Sequence, residues 1–468
     1  MVLGNVNGAD GMMRKFFGTL VAVLAFSGPM AQAETLADAL IAAYRNSNLL
    51  DQNRAVLRAA DEDVAIAVAD LRPVIAFATQ AGYARAEFQG PTGVRGVNEG
   101  LAATFTLTAD MTVLDFGRNR LAVDVAKESV LATRDALVGV EQNVLLSAVQ
   151  AYVDVRLAQE IVGIQQSNLR LLTQELRASQ DRFDVGEITR TDVSIAEARL
   201  AASRASLAAA EGDLMVARES FRAATGAYPG RLAALPATPK TARTVEDAQT
   251  VAQRTHPSIL QAQREVTISE LNVARGKANL KPNVTARASI STDLDGLDTE
   301  SIGLNLSQTL YAGGKLSALY RKSLTGRDAS RAGLHQTSLL VAQNVGNAWS
   351  SLLVSAASIE ASGRQITAAQ AAFDGVREEA NLGARTTLDV LDVQQDLLEA
   401  RASFLQAEAG RYVGVYVLLS AMGLLTVDHL NLGIPTYDAA GYYNAVKSAP
   451  ATSAQGRRLD KILEKIGN

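Results

Sequence analysis

The sequence predicts a mainly α-helical protein with a membrane β-barrel part, built from a duplicated helix-strand-strand-helix unit. A repeat of about 200 residues runs through the chain. Two proline-free stretches of about 67 residues predict unusually long helices. Four stretches of about ten residues, two with clean and two with less clean alternation of apolar and polar side chains, have the pattern and the length of strands that cross a bilayer.

The composition excludes several classes of site. The chain of 468 residues has a net charge of -4 and no cysteine, which excludes disulfides, thiolate metal sites and a cysteine nucleophile. Its three histidines, His256, His335 and His429, are far apart and lie in no metal-binding or catalytic motif. No basic run with interleaved aromatic residues is present. We therefore expect no enzymatic activity, no cofactor, no metal site and no nucleic-acid partner.

The N-terminus is typical of a secretory signal peptide. Arg14 and Lys15 precede an apolar core, Phe16–Phe26, and the triplet ending at Ala33 is a small-residue cleavage site. The apolar run is too short for a transmembrane anchor. We predict that residues 1–33 are the signal peptide and that the mature chain begins at Glu34. Because no cysteine follows the cleavage site, we expect no lipid anchor.

Matched segments define the duplication. Ala69–Pro73 matches Ala278–Pro282 at an offset of 209 residues, whereas Ala151-Tyr152 matches Ala348-Trp349 at an offset of 197. The difference of 12 residues indicates an insertion in the first copy between positions 73 and 118, which we expect to form a longer surface loop. The proline-rich segment 228–243 joins the two copies.

Each copy begins with helical residues and continues into two strands. The helical segments, at about 35–71 and 244–280, end just before Pro73 and Pro282. The alternating strands are predicted at about 74–85 and 101–113, and at about 284–291 and 301–310. A soluble sheet with one face on a core is the rival interpretation of any single strand. Four such strands behind a signal peptide favour a membrane sheet.

Two long helices then form a hairpin in each copy. We predict helices at about 118–184 and 190–225 in the first copy, and at about 315–381 and 386–422 in the second. A helix of about 67 residues is roughly 100 Å long, which no compact domain needs. Gly186 and Gly383 at the hairpin tips fit left-handed helix stops.

Carboxylates follow the tip turns. Asp192 and Asp389 each lie three residues after a threonine, which is the spacing of an N-terminal cap. Asp392 projects from the same helix face as Asp389, without a lysine or arginine four residues away. Repeated around a symmetric pore, two such carboxylates would form rings that attract cations. A helix cap beside a solvated face is the alternative.

Three segments carry a resemblance to the TolC family of outer-membrane efflux proteins. They are Leu382–Gln394 (LGARTTLDVLDVQ), Phe183–Val193 and Leu310–Gly314 (LYAGG). With the order of elements, the resemblance covers nearly all of 34–430 and implies a homotrimer. Three protomers would share one 12-stranded β-barrel in the outer membrane of a Gram-negative bacterium. Their long helices would extend it as a trimeric α-helical tunnel into the periplasm.

The resemblance also implies roles for residues at the tips. The gate links between neighbouring protomers are Arg385, Thr191 and Asp192, and the pore constriction is Asp389 with Asp392. Ala380 departs from the family, whose best-known members have a tyrosine there that bonds the partner aspartate. We therefore expect one gate link to be missing.

The implied function is that of an outer-membrane exit duct in a tripartite efflux or type I secretion system. Such a duct passively passes drugs or secreted proteins from the periplasm to the outside. Its implied partners are outer-membrane lipid, a periplasmic adaptor (membrane fusion) protein, and an inner-membrane pump that is an ATP-binding or a proton-driven exporter. The rival function is that of a periplasmic or surface coiled-coil structural protein without channel activity.

The predicted domains follow the duplication. The first structural repeat covers 34–227 with a β-hairpin at about 73–115, and the linker covers 228–243. The second repeat covers 244–430 with a β-hairpin at about 282–311. Residues 431–468 form a C-terminal equatorial segment and tail.

Overall fold

The computed structural model describes residues 33–89, 91, 93, 95–294, 296–449, 457, 458, 461 and 462. The predicted signal peptide, apart from Ala33, therefore lies outside the described residues. In chain order the elements are α1 (Leu36–Asn46), α2 (Asn48–Ala69), β1 (Val74–Gln89), β2 (Arg95–Leu114), α3 (Arg118–Asp184), α4 (Arg190–Thr225), α5 (Val245–Thr255), α6 (Pro257–Ala278), β3 (Asn283–Asp293), β4 (Asp298–Ser307), α7 (Lys315–Asn381), α8 (Thr387–Ala421) and α9 (Ala439–Val446).

The helical segment that opens each copy consists of two helices, α1 with α2 and α5 with α6. The breaks fall at Ser47 and His256, whose backbones are extended at ψ 108 and ψ 123. The Ser47 hydroxyl accepts a hydrogen bond from the backbone N–H of Leu50 (3.3 Å), and Nδ1 of His256 accepts one from Ser258 (3.2 Å). A side-chain cap that starts a new helix interrupts the old one. Pro257 adds to this effect, because the residue before a proline avoids the α conformation.

The four strands form one antiparallel sheet in the order β1-β2-β3-β4. The two copies meet within it, since β2 pairs with β3. Alternate side chains on β4 are both apolar and exposed, with exposed fractions of 90% for Ile302 and 72% for Leu304. An apolar face that no protein side chain covers is what lipid-facing strands require.

The 12-residue difference between the copies lies in the strands and not in a loop. β1 and β2 are 16 and 20 residues long, against 11 and 10 for β3 and β4. Gln89 pairs with Arg95, so most of the expected loop continues the ladder. Main-chain hydrogen bonds between the two strands stabilise the added residues. The second hairpin also ends earlier than predicted, because β4 stops at Ser307 and Leu310 lies beyond it.

The two long helices, α3 and α7, are each 67 residues long and begin and end at the predicted residues. The main apolar core lies where α1, α3, α4 and α8 meet. Tyr152 of α3 is fully buried there, and its hydroxyl donates to the carbonyl oxygens of Ala233 (2.8 Å) and Glu34 (3.0 Å). The long helix therefore fastens both the start of the predicted mature chain and the linker between the copies.

Among the described residues, no helix combines the length and the apolar character needed to cross a membrane. The C-terminal segment packs on the first copy through α9. The Tyr442 hydroxyl donates to Glu62 of α2 (2.7 Å), and Arg72 donates to the carbonyl of Ala449 (2.8 Å).

Candidate functional site at the helical hairpin tips

The two hairpin tips share one backbone geometry. Gly186 and Gly383 both have φ 81, in the left-handed region that favours glycine. Each turn closes with a backbone hydrogen bond of 2.9 Å, from Glu187 to the carbonyl of Arg182 and from Ala384 to that of Glu379. These bonds satisfy carbonyls that the helix ends would leave open.

Asp192 and Asp389 are both engaged in capping boxes. The carboxylate of Asp192 accepts hydrogen bonds from the Thr189 N–H (2.9 Å) and hydroxyl (2.8 Å), and Asp389 accepts the same pair from Thr386. Hydrogen bonds from the backbone and side chain of Thr386 lower the pKa of Asp389 below its ordinary value. Asp389 therefore carries a negative charge throughout the neutral range, whatever further role it has.

Arg385 pairs within its own chain. Its Nε donates to Oε2 of Glu379 at 2.8 Å, and this hydrogen bond, with the charge of Glu379, raises the pKa of Arg385 further above its ordinary value. Within the described part of one chain, Arg385 forms no hydrogen bond or ion pair with Thr191 or Asp192. Thr191 is exposed, and Ala380 is buried in a small apolar cluster of α7 and α8.

Asp392 has a partner that the sequence did not indicate. Nη2 of Arg199, on α4, lies 2.7 Å from Oδ1 of Asp392 on α8. The two residues are 193 positions apart, so no local spacing rule connects them. The pair joins the first hairpin to the second within one protomer.

Two side-chain layers flank this ion pair on α3, α4 and α8. One is apolar and contains Leu172, Leu200 and Leu391. The other is polar and buried: Nε2 of Gln394 donates to Oδ1 of Asn168 (2.5 Å), and Nδ2 of Asn168 lies 3.4 Å from the Ser203 hydroxyl. Buried polar contacts between helices fix their register, because only one alignment satisfies them.

The tips thus combine permanent charge with a fixed helix register. Over the described residues, no group of three histidine, cysteine, aspartate or glutamate side chains could hold a metal ion. The exposed carboxylates and the arginines that pair with them carry the charges that attract or repel ions and form links between helices.

Comparison with known proteins identifies the class. A profile of the family described as "Outer membrane efflux protein" matches residues 40–227 and 248–424, which are most of the two repeats. The solved structure of VceC from Vibrio cholerae superposes with a TM-score of 0.73 at 21% identity, covering 83% of this chain and 96% of that one. A crystal structure of CusC has a TM-score of 0.75 at 18% identity, covering 84% of this chain and 92% of the other.

Sequence relatives agree. The outer membrane efflux protein BepC of Brucella suis is 35% identical over 430 residues, which are 90% of this chain and 92% of the relative. Outer membrane protein TolC of Escherichia coli is 24% identical over 89% of this chain and 88% of its own length. The chain belongs to the outer membrane efflux protein family. It is a TolC-like exit duct of the outer membrane, with a helical tunnel that extends into the periplasm, and the coiled-coil alternative is set aside.

Proposed function

We propose that three copies of the chain form one duct, closed at its periplasmic end by the hairpin tips and opened by partner proteins. The observation that carries the trimer is the four-stranded sheet. Within one chain, β1 and β4 are edge strands. Edge strands in lipid have backbone groups that water cannot satisfy, so they must pair with other copies. Four strands are also too few to close a membrane barrel alone.

The proposed gate links join neighbouring protomers. Arg385 lies beside the Gly383 turn, is exposed, and carries a permanent charge. Asp192 and Thr191 occupy the corresponding turn of the first hairpin, where Arg385 of an adjacent copy would reach them. A guanidinium can bond a carboxylate through two donors, although an exposed pair contributes only about 0 to 1 kcal/mol. Three such links in a trimer would add up to a preference for the closed state. Because each link is weak, partner proteins could still open the gate.

The proposed constriction is formed by Asp389 and Asp392. They lie one turn apart at the start of α8, and Asp389 remains charged because Thr386 stabilises its carboxylate. Three copies would arrange them as two rings at the narrow end of the tunnel. Rings of carboxylates attract cations and slow their passage.

The proposed partners are a periplasmic adaptor protein and an inner-membrane pump, which would supply the energy. The relatives include proteins named for efflux, such as BepC, and for secretion, such as the proteases secretion protein PrtF of Dickeya chrysanthemi, 26% identical over 83% of this chain. We propose small molecules such as drugs, and secreted proteins, as the two candidate classes of cargo. Val185 and Leu382 at the tips are 72% and 80% exposed, which offers an adaptor apolar contact points. We propose no catalytic role.

The test is single-channel recording of the purified protein in planar bilayers. The parent should conduct poorly, and Arg385→Ser should raise the conductance, because one closing link is lost. Arg377→Ser is the matched control, since it removes an exposed arginine from α7, the helix that leads into the tip turn, one turn before that helix ends. Equal conductance of all three proteins would overturn the gate assignment.

The constriction is tested by block with a trivalent cation. Asp389→Ala combined with Asp392→Ala should weaken the block and leave the resting conductance close to that of the parent. Unchanged block in this double variant would remove both carboxylates from the pore.

A further inference from the structure

We infer that Arg199 sets the charge of the pore constriction, because it pairs with Asp392 inside each protomer and so withholds part of one carboxylate ring from the pore. The inference rests on the constriction proposed for Asp389 and Asp392. It concerns a residue on the other hairpin, 193 positions away from its partner.

The contact geometry supports a defined pair. Nη2 of Arg199 and Oδ1 of Asp392 are 2.7 Å apart, within the range of a charge-assisted hydrogen bond. The side chains are 43% and 55% exposed. The pair is thus neither buried nor fully screened by water, so Asp392 keeps part of its ability to attract a mobile cation.

The surrounding layers hold α4 and α8 so that this pair is formed. Leu200, next to Arg199, packs in the apolar layer with Leu391, next to Asp392. Ser203, one turn after Arg199, belongs to the buried polar layer with Gln394. Sliding α8 along α4 would disrupt both layers as well as the pair.

The two copies of the duplication differ at both positions of the pair. At the offset of 197, the counterpart of Asp392 in the first copy is Ile195, and the counterpart of Arg199 in the second copy is Asp396. The mirror-related pair, between Ile195 and Asp396, therefore cannot form an ion pair. Asp389 differs, since its counterpart Asp192 forms the same capping box.

The two carboxylates therefore have different electrostatic roles. Asp389 is hydrogen-bonded to neutral groups of Thr386, and the nearby cation Arg385 forms its ion pair with Glu379, so the negative charge of Asp389 is only partly offset. Asp392 faces a guanidinium at 2.7 Å, so its negative charge is largely offset. In a trimer, the Asp392 ring would be attenuated more than the Asp389 ring.

The experiment measures block of the reconstituted full-length channel by hexaamminecobalt(III), a trivalent ion whose fixed ligands make it a probe of charge alone. Arg199→Ala should lower the concentration for half-block by about twofold to fivefold, the range expected when an exposed pair is lost. Arg199→Gln, which keeps most of the side chain, should do the same. Arg199→Lys should remain close to the parent.

Two controls separate this inference from the proposed constriction. Arg204→Ala removes an exposed arginine of α4 that forms no ion pair among the described residues, and it should not change the block. In an Asp392→Asn background, Arg199→Ala should give no further gain. If Asp392→Asn weakens the block while both neutral Arg199 variants behave like the parent, the inference alone is wrong. If Asp392→Asn has no effect, the constriction and the inference fail together.

Discussion

Asp61 on α2 is a buried carboxylate that the transport function does not use. It is 1% exposed, and neither of its carboxylate oxygens has a hydrogen-bond partner among the described residues. Burial raises the pKa of Asp61 to about 6, although the charge of Arg134 opposes this shift and that of Glu62 adds to it. In the unfolded chain the pKa is the ordinary 3.8. Between those two values, the folded state binds the proton more strongly, so its stability falls as the pH rises.

We predict that Asp61→Asn raises the free energy of unfolding by about 1 to 2 kcal/mol at pH 7.5, because an amide carries no charge that must be desolvated. The gain should shrink as the pH falls from about 6 toward 4, where the parent carboxyl becomes protonated. Thermal unfolding in detergent at a series of pH values measures this. A gain that is independent of pH would contradict the titration of Asp61. The exposed carboxylate Asp51 on the same helix offers a control, Asp51→Asn, for which no such gain is expected.

At the scale of elements, the spacing of apolar residues and the positions of glycine and proline predicted most of the fold. The long helices were predictable because 67 residues without proline and with glycine turns at both ends leave little alternative. The breaks at Ser47 and His256 were not, since a serine or histidine inside a helical pattern becomes a cap only when packing bends the chain there. The extension of β1 and β2 was missed because its glycines indicate a loop unless a partner strand is known.

The contacts of the candidate site also fall into two groups, those that the local sequence predicts and those that it does not. The caps at Asp192 and Asp389 depend on residues three positions away, and the sequence contains that information. The Arg199–Asp392 pair and the Asn168–Gln394 contact depend on the packing of two hairpins. A single sequence does not specify which faces of two long helices will meet.

Replacing glycine by alanine should lower the stability of the protein at the tip turn and raise it in the helix interior. Gly383→Ala should destabilise the protein by about 1 kcal/mol, because an alanine at φ 81 is strained even where space is available. Gly375→Ala, in the interior of α7 with no atom within 4 Å of the added Cβ, should stabilise it by about 0.5 to 1 kcal/mol. Far-UV circular dichroism during thermal unfolding measures both. Changes of the same sign would show that the left-handed conformation does not determine the stability of the tip.

At the scale of the whole molecule, the edges of the sheet determine the assembly. We predict that the protein purified in detergent is a trimer that separates only on heating, and that trypsin leaves its barrel intact. Sedimentation and limited proteolysis measure these properties. A monomer at every concentration would contradict the shared barrel, since β1 and β4 of a single chain would then have to remain unpaired in the membrane.

The unequal hairpins give the mouth of the duct a shape of its own. Residues 95–103 of β2 and 81–89 of β1 pair with each other above the point where the β2–β3 ladder ends at Thr104 and Asp293. At about 3.3 Å per residue and a typical tilt, this part rises roughly 20 Å. In a trimer, three tall hairpins would alternate with three short ones. The rim of the barrel would then have three high and three low segments. A large particle that covered the ends of the three tall hairpins would leave gaps above the three short ones. Cargo could then leave sideways through these gaps even while the axis of the duct was covered.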